Sequence, residues 1–449
     1  MLFIFHICKK ILTLVLLIRR TLMLGGVVVL LSLSESGAQN TYTLEACQTL
    51  ALQNNKRIAI AKIDQQVATQ EVKSAKTGRT PTATASGNGI YFLEGAGGLI
   101  PEQLLTFGVS VTQPIYLGGK VRNGIEAAGI GEKLASEQQA LVEDEVIYQT
   151  QEYYWSLVAL KEQLSLTNVQ LISLKQLEED LENTVEAGLA QKNDLLKVQV
   201  GINGVKLKQE TLERELDLLK KFFQQHLGIE ATENFDIVDT QIQVEEATLT
   251  QEALLNKATN QRPEIALIKN EIALIEKQQK IADADFLPQV LVSFNFLGLL
   301  TEEVAFPGPP NAEPEVLLEE YSNLIYPQLV VSIPLYKGGD RAIKRRKYRL
   351  RTEAKQKSLE QAQEGIQIEV YQATNQVLNT KRTIELNQQS VIQATENLRL
   401  FKDRFDAGVA KGADVLEAEF LLKEAETNVI DAKAQYKIAL AQLDKATAQ

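Results

Sequence analysis

The placement of proline constrains this chain of 449 residues more than any other feature. All eleven prolines lie between Pro81 and Pro114 or between Pro263 and Pro334. Because proline breaks helix interiors, two long proline-free tracts remain, 115–262 and 335–449. Both are rich in Leu, Ala, Glu, Gln and Lys, which favour helix. The sequence therefore predicts helices far longer than those of an average globular protein.

Apolar residues in the first tract recur at the three- and four-residue steps of a coiled-coil seam. We expect one helix from Lys120 to Glu186, which would be about 100 Å long at ~1.5 Å per residue. Gly188 follows it and can adopt the left-handed conformation that ends a helix. A return helix then carries the more regular heptad pattern. The tract thus predicts an antiparallel helical hairpin over 120–227.

The second tract repeats the first with an offset of 220 residues. Gly188 corresponds to Gly408 and Asp194 to Asp414. The junctions before the hairpins repeat as well, with Pro114, Tyr116, Gly118 and Gly119 matching Pro334, Tyr336, Gly338 and Gly339. Upstream the offset is 207, and the extra residues of the second half predict an exposed acidic loop that contains Glu302, Glu303, Glu313, Glu315, Glu319 and Glu320. The chain is therefore an internal duplication.

Four strands are expected between the helices, over 80–93, 104–117, 287–298 and 324–336. Leu105, Phe107, Val109 and Val111 alternate with polar or small residues, which is the pattern of a strand with one apolar face. Such a hairpin could pack on a soluble core, but no amphipathic helix remains to cover it. An open sheet cannot lie in lipid with unpaired edges. Two copies of the chain would give eight strands and three would give twelve, both numbers found in membrane barrels.

The predicted organisation has four parts: a signal peptide over 1–38, a first repeat over 39–230, a connecting segment over 231–250 and a second repeat over 251–449 with its hairpin at 338–447. Each repeat contains a helix, two strands and a helical hairpin. The signal rests on the apolar run Leu22–Leu33 before Ser36-Gly37-Ala38. A membrane anchor is the alternative, although Arg19 and Arg20 interrupt the apolar sequence.

Composition excludes several classes of function. The net charge is −11, and removal of the signal makes it about −14, so general nucleic-acid binding is not expected. The mature chain keeps one cysteine, Cys47, and one histidine, His226, so a subunit can build neither a disulfide nor a His/Cys metal cluster. No nucleotide or catalytic motif is present. We expect no cofactor and no enzymatic activity.

Two pairs of duplicated motifs carry a family resemblance over essentially the whole mature chain. They are the junctions Pro-Ile-Tyr-Leu-Gly-Gly and Pro-Leu-Tyr-Lys-Gly-Gly, and the turns Ala-Gly-Leu-Ala-Gln-Lys-Asn-Asp and Ala-Gly-Val-Ala-Lys-Gly-Ala-Asp. The chain resembles the outer-membrane efflux protein, or TolC, family. The resemblance implies a mainly α-helical homotrimer whose long hairpins form a periplasmic helical barrel. Its strands would share one twelve-stranded barrel in outer-membrane lipid of a Gram-negative bacterium.

The resemblance also implies partners and site residues. A periplasmic adaptor, or membrane-fusion, protein would connect the channel to an inner-membrane pump of RND, ABC or MFS type. The hairpin tips implied to meet the adaptor are Gly188, Leu189, Ala190, Gly408, Val409 and Ala410. In that family helices narrow the periplasmic end and acidic residues ring the pore there, and Asp414 and Glu417 match these residues. The first turn has Asp194 but carries Lys197 at the position that corresponds to Glu417, so a gate of mixed charge is an alternative. Both aspartates could instead cap the helices that begin there.

Other features leave alternatives open. The basic stretch Lys337 to Lys357 could be a solvated helix face, a surface for anionic lipid headgroups, or a positive segment of the lumen. The aromatic run Tyr153-Tyr154-Trp155 is expected to pack between helices. A secreted or periplasmic coiled-coil structural or adhesive protein without a pore is the alternative function, and it would explain the heptads but not the strands.

Overall fold

Long helices dominate the computed structural model, which describes residues 40–91, 103–188, 190–244, 250–301, 304–306, 315–318 and 321–448. The fold from Thr41 onward is one structural unit. Its helices are α1 (Leu44–Asn54), α2 (Lys56–Thr77), α3 (Lys120–Glu186), α4 (Lys192–Leu227), α5 (Gln251–Gln261), α6 (Pro263–Ala284), α7 (Asp340–Asp406) and α8 (Gly412–Ala446). None of these described helices combines the length and the apolar character needed to cross a membrane. The predicted signal peptide lies outside the described residues.

The helix expected at the start of each repeat is two helices, and that prediction was wrong. Asn55 separates α1 from α2, because its Oδ1 accepts a hydrogen bond from the Arg57 amide at 2.8 Å and its Nδ2 donates to the His226 carbonyl at 2.8 Å. Arg262 separates α5 from α6, because it precedes Pro263 and the residue before a proline avoids helical angles. Both breaks hold a polar residue that is buried.

The long hairpins have the helices that the proline-free tracts predicted. α3 begins and ends at the expected residues, α4 returns alongside it, and α7 and α8 repeat this arrangement. Gly188 and Gly408 both have φ of +73°, so each ends its helix in the left-handed conformation. α3 also packs against α8, and this contact joins the two repeats. Near the turns, a shared apolar core contains Leu174, Leu181, Val198, Ile202, Leu398 and Val415.

The principal sheet has four antiparallel strands in the order β2 (Thr82–Tyr91), β3 (Gln103–Leu117), β5 (Gln289–Thr301) and β8 (Tyr321–Ser332). β3 and β5 join the repeats, with Val109 opposite Phe296. The apolar side chains of β3 are exposed while the alternating residues are half-buried. Nothing in the described part of the subunit covers this apolar face, and β2 and β8 each have one edge unpaired within the sheet.

The fourth strand departs most from its predicted bounds. β8 starts at Tyr321 and ends at Ser332, whereas the expected strand ran over 324–336 and included Pro334. In the first repeat β3 does continue past Pro114 to Leu117, because it stays paired with β5 through a bulge. Among the described residues β8 has no partner on its outer side, so no ladder extends it. β5 also reaches three residues beyond its expected end.

Strand structure replaces part of the acidic loop expected in the second repeat. β6 (Val304–Phe306) pairs with β7 (Glu315–Leu318) in a separate two-stranded sheet. Glu315 is therefore a strand residue. Five of the acidic residues named for that loop lie outside the described residues: Glu302, Glu303, Glu313, Glu319 and Glu320.

The connecting segment is attached to the first hairpin. It contains β4 (Phe235–Ile237), which pairs with β1 (Asn40–Tyr42), and its residues 245–249 are not described. Phe235 packs edge-to-face on Phe223 of α4 at 5.4 Å between ring centroids. The Tyr154 hydroxyl donates to Asp239 Oδ2 at 2.6 Å, and burial together with this acceptor raises the pKa of Tyr154. The aromatic run of α3 thus packs between elements, as expected.

Candidate functional site

The first turns of the return helices α4 and α8 lie on either side of a groove with a volume of about 630 Å³. Its walls are mainly apolar and come from Leu196, Val200, Leu416 and Phe420. Gly201 permits this approach, since a Cβ there would lie 3.0 Å from Leu416 Cδ1. The duplication thus places equivalent turns of its two halves side by side.

Opposite charges meet this groove at equivalent positions of the two repeats. Lys197 and Glu417 both line it, and both are exposed. The structure therefore places along one groove two residues, Lys197 and Glu417, that occupy matching positions in the repeats. At this level the two halves of one subunit present charges of opposite sign.

The two aspartates expected near the constriction have different surroundings. Asp414 is half-buried, and its Oδ2 accepts a hydrogen bond from the Lys411 amide at 2.9 Å. It therefore caps α8, where a negative charge is favourable. Asp194 is buried, and α4 has no side-chain cap at its start. The capping alternative applies to Asp414 and not to Asp194.

The hairpin tips expose short backbone loops. In the first turn the Ala190 amide donates to the Thr184 carbonyl at 3.2 Å, and in the second the Ala410 amide donates to the Arg404 carbonyl at 3.1 Å. Val409 is 79% exposed, and a Cβ on Gly188 or Gly408 would meet no atom within 4 Å. Leu189 lies outside the described residues. Around their glycines, both tips are thus free of contacts from the other residues that the structure describes.

A polar contact locks the repeats together just behind the tips. The Ser173 hydroxyl of α3 donates to Glu419 Oε1 of α8 at 2.6 Å, and Lys402 Nζ of α7 lies 2.7 Å from the same oxygen. Glu419 is buried. The backbone of α8 comes equally close at Gly412, where a Cβ would lie 2.5 Å from Leu181 Cδ1.

Sequence reasoning missed this lock, although a signal was present. Gly412 and Glu419 depart from the repeat, which has Lys192 and Gln199 at the matching positions. The same face of α8 holds Lys423, whose Nζ is buried without a hydrogen-bond partner in the described structure. Burial lowers the pKa of Lys423 to about 8 and raises that of Glu426 above its usual range. This face of α8 therefore carries one buried and two half-buried charged side chains, Glu419, Lys423 and Glu426.

The two strand-to-helix junctions have the same backbone conformation but different packing. Gly118 and Gly119 have φ of +62° and +82°, and Gly338 and Gly339 have +55° and +79°. A Cβ on Gly118 would lie 2.7 Å from the Ala284 carbonyl oxygen, whereas one on Gly338 would meet no atom within 4 Å. Tyr116 pairs with Val290 inside the sheet. Its counterpart Tyr336 is 86% exposed, and Pro334 lies beyond the end of β8.

Comparison with known proteins gives consistent matches over most of the chain. The family model described as outer membrane efflux protein matches residues 48–218 and 254–449. The outer membrane protein TolC of Vibrio cholerae serotype O1 is 21% identical over 346 residues, which are 77% of either chain.

Solved structures share the fold at low identity. The crystal structure of CusC superposes with a TM-score of 0.73 at 17% identity and covers 93% of this chain and 95% of that one. The outer membrane protein VceC of Vibrio cholerae gives 0.70 at 17% identity, with 90% and 95% covered. These similarities extend over both repeats and the strands between the hairpins.

Proposed function

The chain belongs to the outer membrane efflux protein family, and from this premise we propose that three copies of it close one export channel. Membership of the family makes the chain an outer-membrane channel protein of efflux systems, with its helices extending into the periplasm. The observation that carries the proposed closure is the unfinished sheet. Its apolar face is uncovered and its outer strands β2 and β8 each keep a free edge, which lipid does not tolerate.

The duplication indicates how β8 of one copy would pair with β2 of the next to close the sheet. Inside one subunit, β3 of the first repeat pairs with β5 of the second, with Val109 opposite Phe296. Val109 corresponds to Leu329 of β8 through the offset of 220, and Phe296 corresponds to Gly89 of β2 through the offset of 207. We therefore expect Leu329 to lie opposite Gly89 of a neighbouring copy. A ring closed in this way repeats the observed contact at every step.

Contacts between the long helices of neighbouring copies can be derived from the duplication in the same way. The contact of Ser173 with Glu419 maps onto Gln393 of α7 and Gln199 of α4 in a neighbouring copy. Some residues of α3 are buried because α8 or the core covers them, whereas the equivalent residues of α7 are exposed to solvent. Val158 is fully buried and Leu378 is 52% exposed, and Gln170 is buried whereas Ser390 is exposed. An uncovered face on α7 is therefore available to a second copy.

Three is the number of copies favoured by the family resemblance. Three subunits bring twelve strands, and two would bring eight. The secreted coiled coil without a pore is not favoured, because it leaves the sheet and the duplicated junctions without a purpose.

The channel is proposed to be passive and to work with two further proteins. A passive channel does not supply the energy for transport. An inner-membrane pump of RND, ABC or MFS type would drive the substrate, and a periplasmic adaptor would bind the hairpin tips. The exposed turns around Gly188 and Gly408 are the proposed adaptor contacts. Asp414, Glu417 and Asp194 are the proposed constriction, with Lys197 among them.

Cysteine cross-linking tests the closure. The Gln199→Cys/Gln393→Cys variant is oxidised in outer membranes and analysed without reductant. Links between neighbouring copies are expected, up to a covalent trimer. The native Cys47 stays unreactive, since it is fully buried and burial raises its pKa to about 12.

A matched pair serves as the control. Ser173→Cys/Glu419→Cys occupies the equivalent contact within one subunit, so it should give a linked monomer and no ladder. A ladder that stops at the dimer, or linkage in the control but none in the test pair, would contradict a three-membered ring.

A further inference from the structure

A dense basic segment follows the sheet in the second repeat. Ten basic and two acidic residues lie between Lys337 and Lys357. Lys337 comes five residues after the end of β8, and the segment continues through the first turns of α7. The charge is therefore concentrated directly below one edge of the sheet.

The duplication shows that the fold does not need this charge. The equivalent segment of the first repeat, 117–137, has three basic and three acidic residues. It has the same left-handed glycines before its helix, Gly118 and Gly119. One structural position is thus neutral in one repeat and strongly positive in the other.

Local carboxylates neutralise only part of the segment. Arg341 and Arg345 share Asp283, with Nε to Oδ1 distances of 3.8 and 2.8 Å. Lys344 pairs with Asp340 at 2.8 Å. Five further cations are exposed and make no ion pair with any residue that the structure describes. Two of them, Lys337 and Arg351, contact an aromatic ring, whereas Arg346, Lys347 and Arg349 have no such contact there.

A neighbouring copy would bring more cations than anions to this level. On the first repeat, Glu126 of α3 pairs with Lys277 of α6. Through the same offsets, Glu126 corresponds to Arg346 and Lys277 corresponds to Gln70. In the proposed ring Arg346 would therefore lie opposite the neutral Gln70 of a neighbouring copy. After Gln70 the chain carries Glu71 and then Lys73, Lys76 and Arg79, so the end of α2 and the residues just after it have a net charge of +2. The proposed ring therefore gathers positive charge at this level.

Apolar and aromatic side chains separate the basic segment from the sheet. Leu335 is 93% exposed and Tyr336 is 86% exposed, and Ile333 before them is also open. Along the chain an apolar strand face is thus followed by a tyrosine and then by cations. This order matches a membrane boundary, where aromatic rings sit among headgroups and Lys and Arg attract anionic lipid.

We propose that Arg346, Lys347 and Arg349 bind the headgroups of anionic phospholipids in the leaflet that meets this edge of the sheet. The proposal rests on the channel function argued above, since it needs the sheet to lie in a membrane. The binding is electrostatic and requires no particular headgroup beyond a negative phosphate that the side chains can reach.

Spin-labelled lipids provide the test. The full-length protein is reconstituted in phosphatidylcholine vesicles that contain a trace of spin-labelled phosphatidylglycerol or spin-labelled phosphatidylcholine. Electron spin resonance then measures the motionally restricted fraction of each label. The unmodified protein should favour phosphatidylglycerol by roughly threefold or more. The Arg346→Gln/Lys347→Gln/Arg349→Gln variant should treat both lipids nearly alike.

The matched control removes three exposed cations elsewhere. Lys175→Gln/Lys208→Gln/Arg404→Gln changes the net charge equally and should keep the lipid preference. No preference in the unmodified protein, or a preference that survives in the test variant, would overturn the proposal. So would a test variant that keeps its lipid preference and instead changes the ratio of anion to cation permeability, because the segment would then line the lumen.

Failure here is separable from failure of the channel itself. A cross-linked, conducting trimer without lipid preference would leave the channel function standing and remove the lipid site. A protein that forms no trimer would instead count against the proposed ring.

Discussion

The hydroxyl of Ser173 donates a 2.6 Å hydrogen bond to the carboxylate of Glu419, and the two residues belong to different repeats. Lys402 approaches the same carboxylate at 2.7 Å. Three long helices therefore meet at one buried acid close behind the hairpin tips. In the proposed ring the matching contact between copies has glutamines, Gln393 and Gln199, so the junction within a subunit is the stronger one.

Glu419→Gln is expected to loosen this end of the channel. The amide keeps a hydrogen bond to Ser173 but loses the charge that holds Lys402, at a cost of about 1–2 kcal/mol because Lys402 is partly exposed. Single-channel recording in planar bilayers should show a larger resting conductance. Arg404→Gln, on the same helix as Lys402 but outside the contact, should leave the conductance unchanged. Equal conductance in all three proteins would contradict the lock.

Two glycine substitutions should act in opposite directions. In Gly412→Ala the new methyl would lie 2.5 Å from Leu181 Cδ1, so overpacking should destabilise the tip by roughly 1–3 kcal/mol. Gly204→Ala is the control, because no atom lies within 4 Å of its Cβ and alanine is the better helix former by about 0.5–1 kcal/mol. Hydrogen exchange of the tip amides should speed up in the first variant and not in the second.

Lys423 should make stability depend on alkaline pH. Burial lowers its folded pKa to about 8 from an ordinary value of 10.5, so the unfolded chain binds the extra proton between these values and stability rises with pH there. Lys423→Met should therefore stabilise the fold below pH 8, by an amount that shrinks as pH approaches 10.5. Urea unfolding at pH 7 and pH 10 measures this. A gain that is the same at both values would show that packing, and not charge, causes it.

Asp414→Asn/Glu417→Gln should open the proposed constriction. In a ring of three, the double variant removes six carboxylates from one level, which should raise conductance and reduce cation preference. Asp414→Asn alone changes the cap of α8, since its Oδ2 accepts from the Lys411 amide, and it separates helix capping from pore charge. Unchanged conductance and selectivity in the double variant would argue that these residues lie away from the pore.

Much of the fold could be predicted because proline, glycine and heptad spacing act locally. The long helices and their turns at Gly188 and Gly408 follow from such signals, and the family resemblance and the helix-rich fold class are confirmed. The break at Asn55 was missed, because its cap depends on a carbonyl of His226 far along the chain. The end of β8 was missed because the length of a strand depends on the strands that pair with it, and the sequence of one strand does not show where its partners end.

The candidate site was less accessible to sequence. Lys197 and Glu417 could be identified by comparing the repeats, yet only the packing of α4 beside α8 shows that they line one groove. Glu419 was missed because its partners, Ser173 and Lys402, come from two other helices. Helix periodicity shows which residues share a face, but it does not say which helix that face meets.

The free edges of β2 and β8 have a genetic consequence. In the proposed ring of three copies every copy uses both edges, so a subunit damaged at either edge can still occupy a place through the other. If sound and damaged subunits were made in equal amounts and mixed at random, only about one ring in eight would be free of damage. Mutations at these edges should therefore be dominant, and they should impair export in a cell that also carries an intact gene.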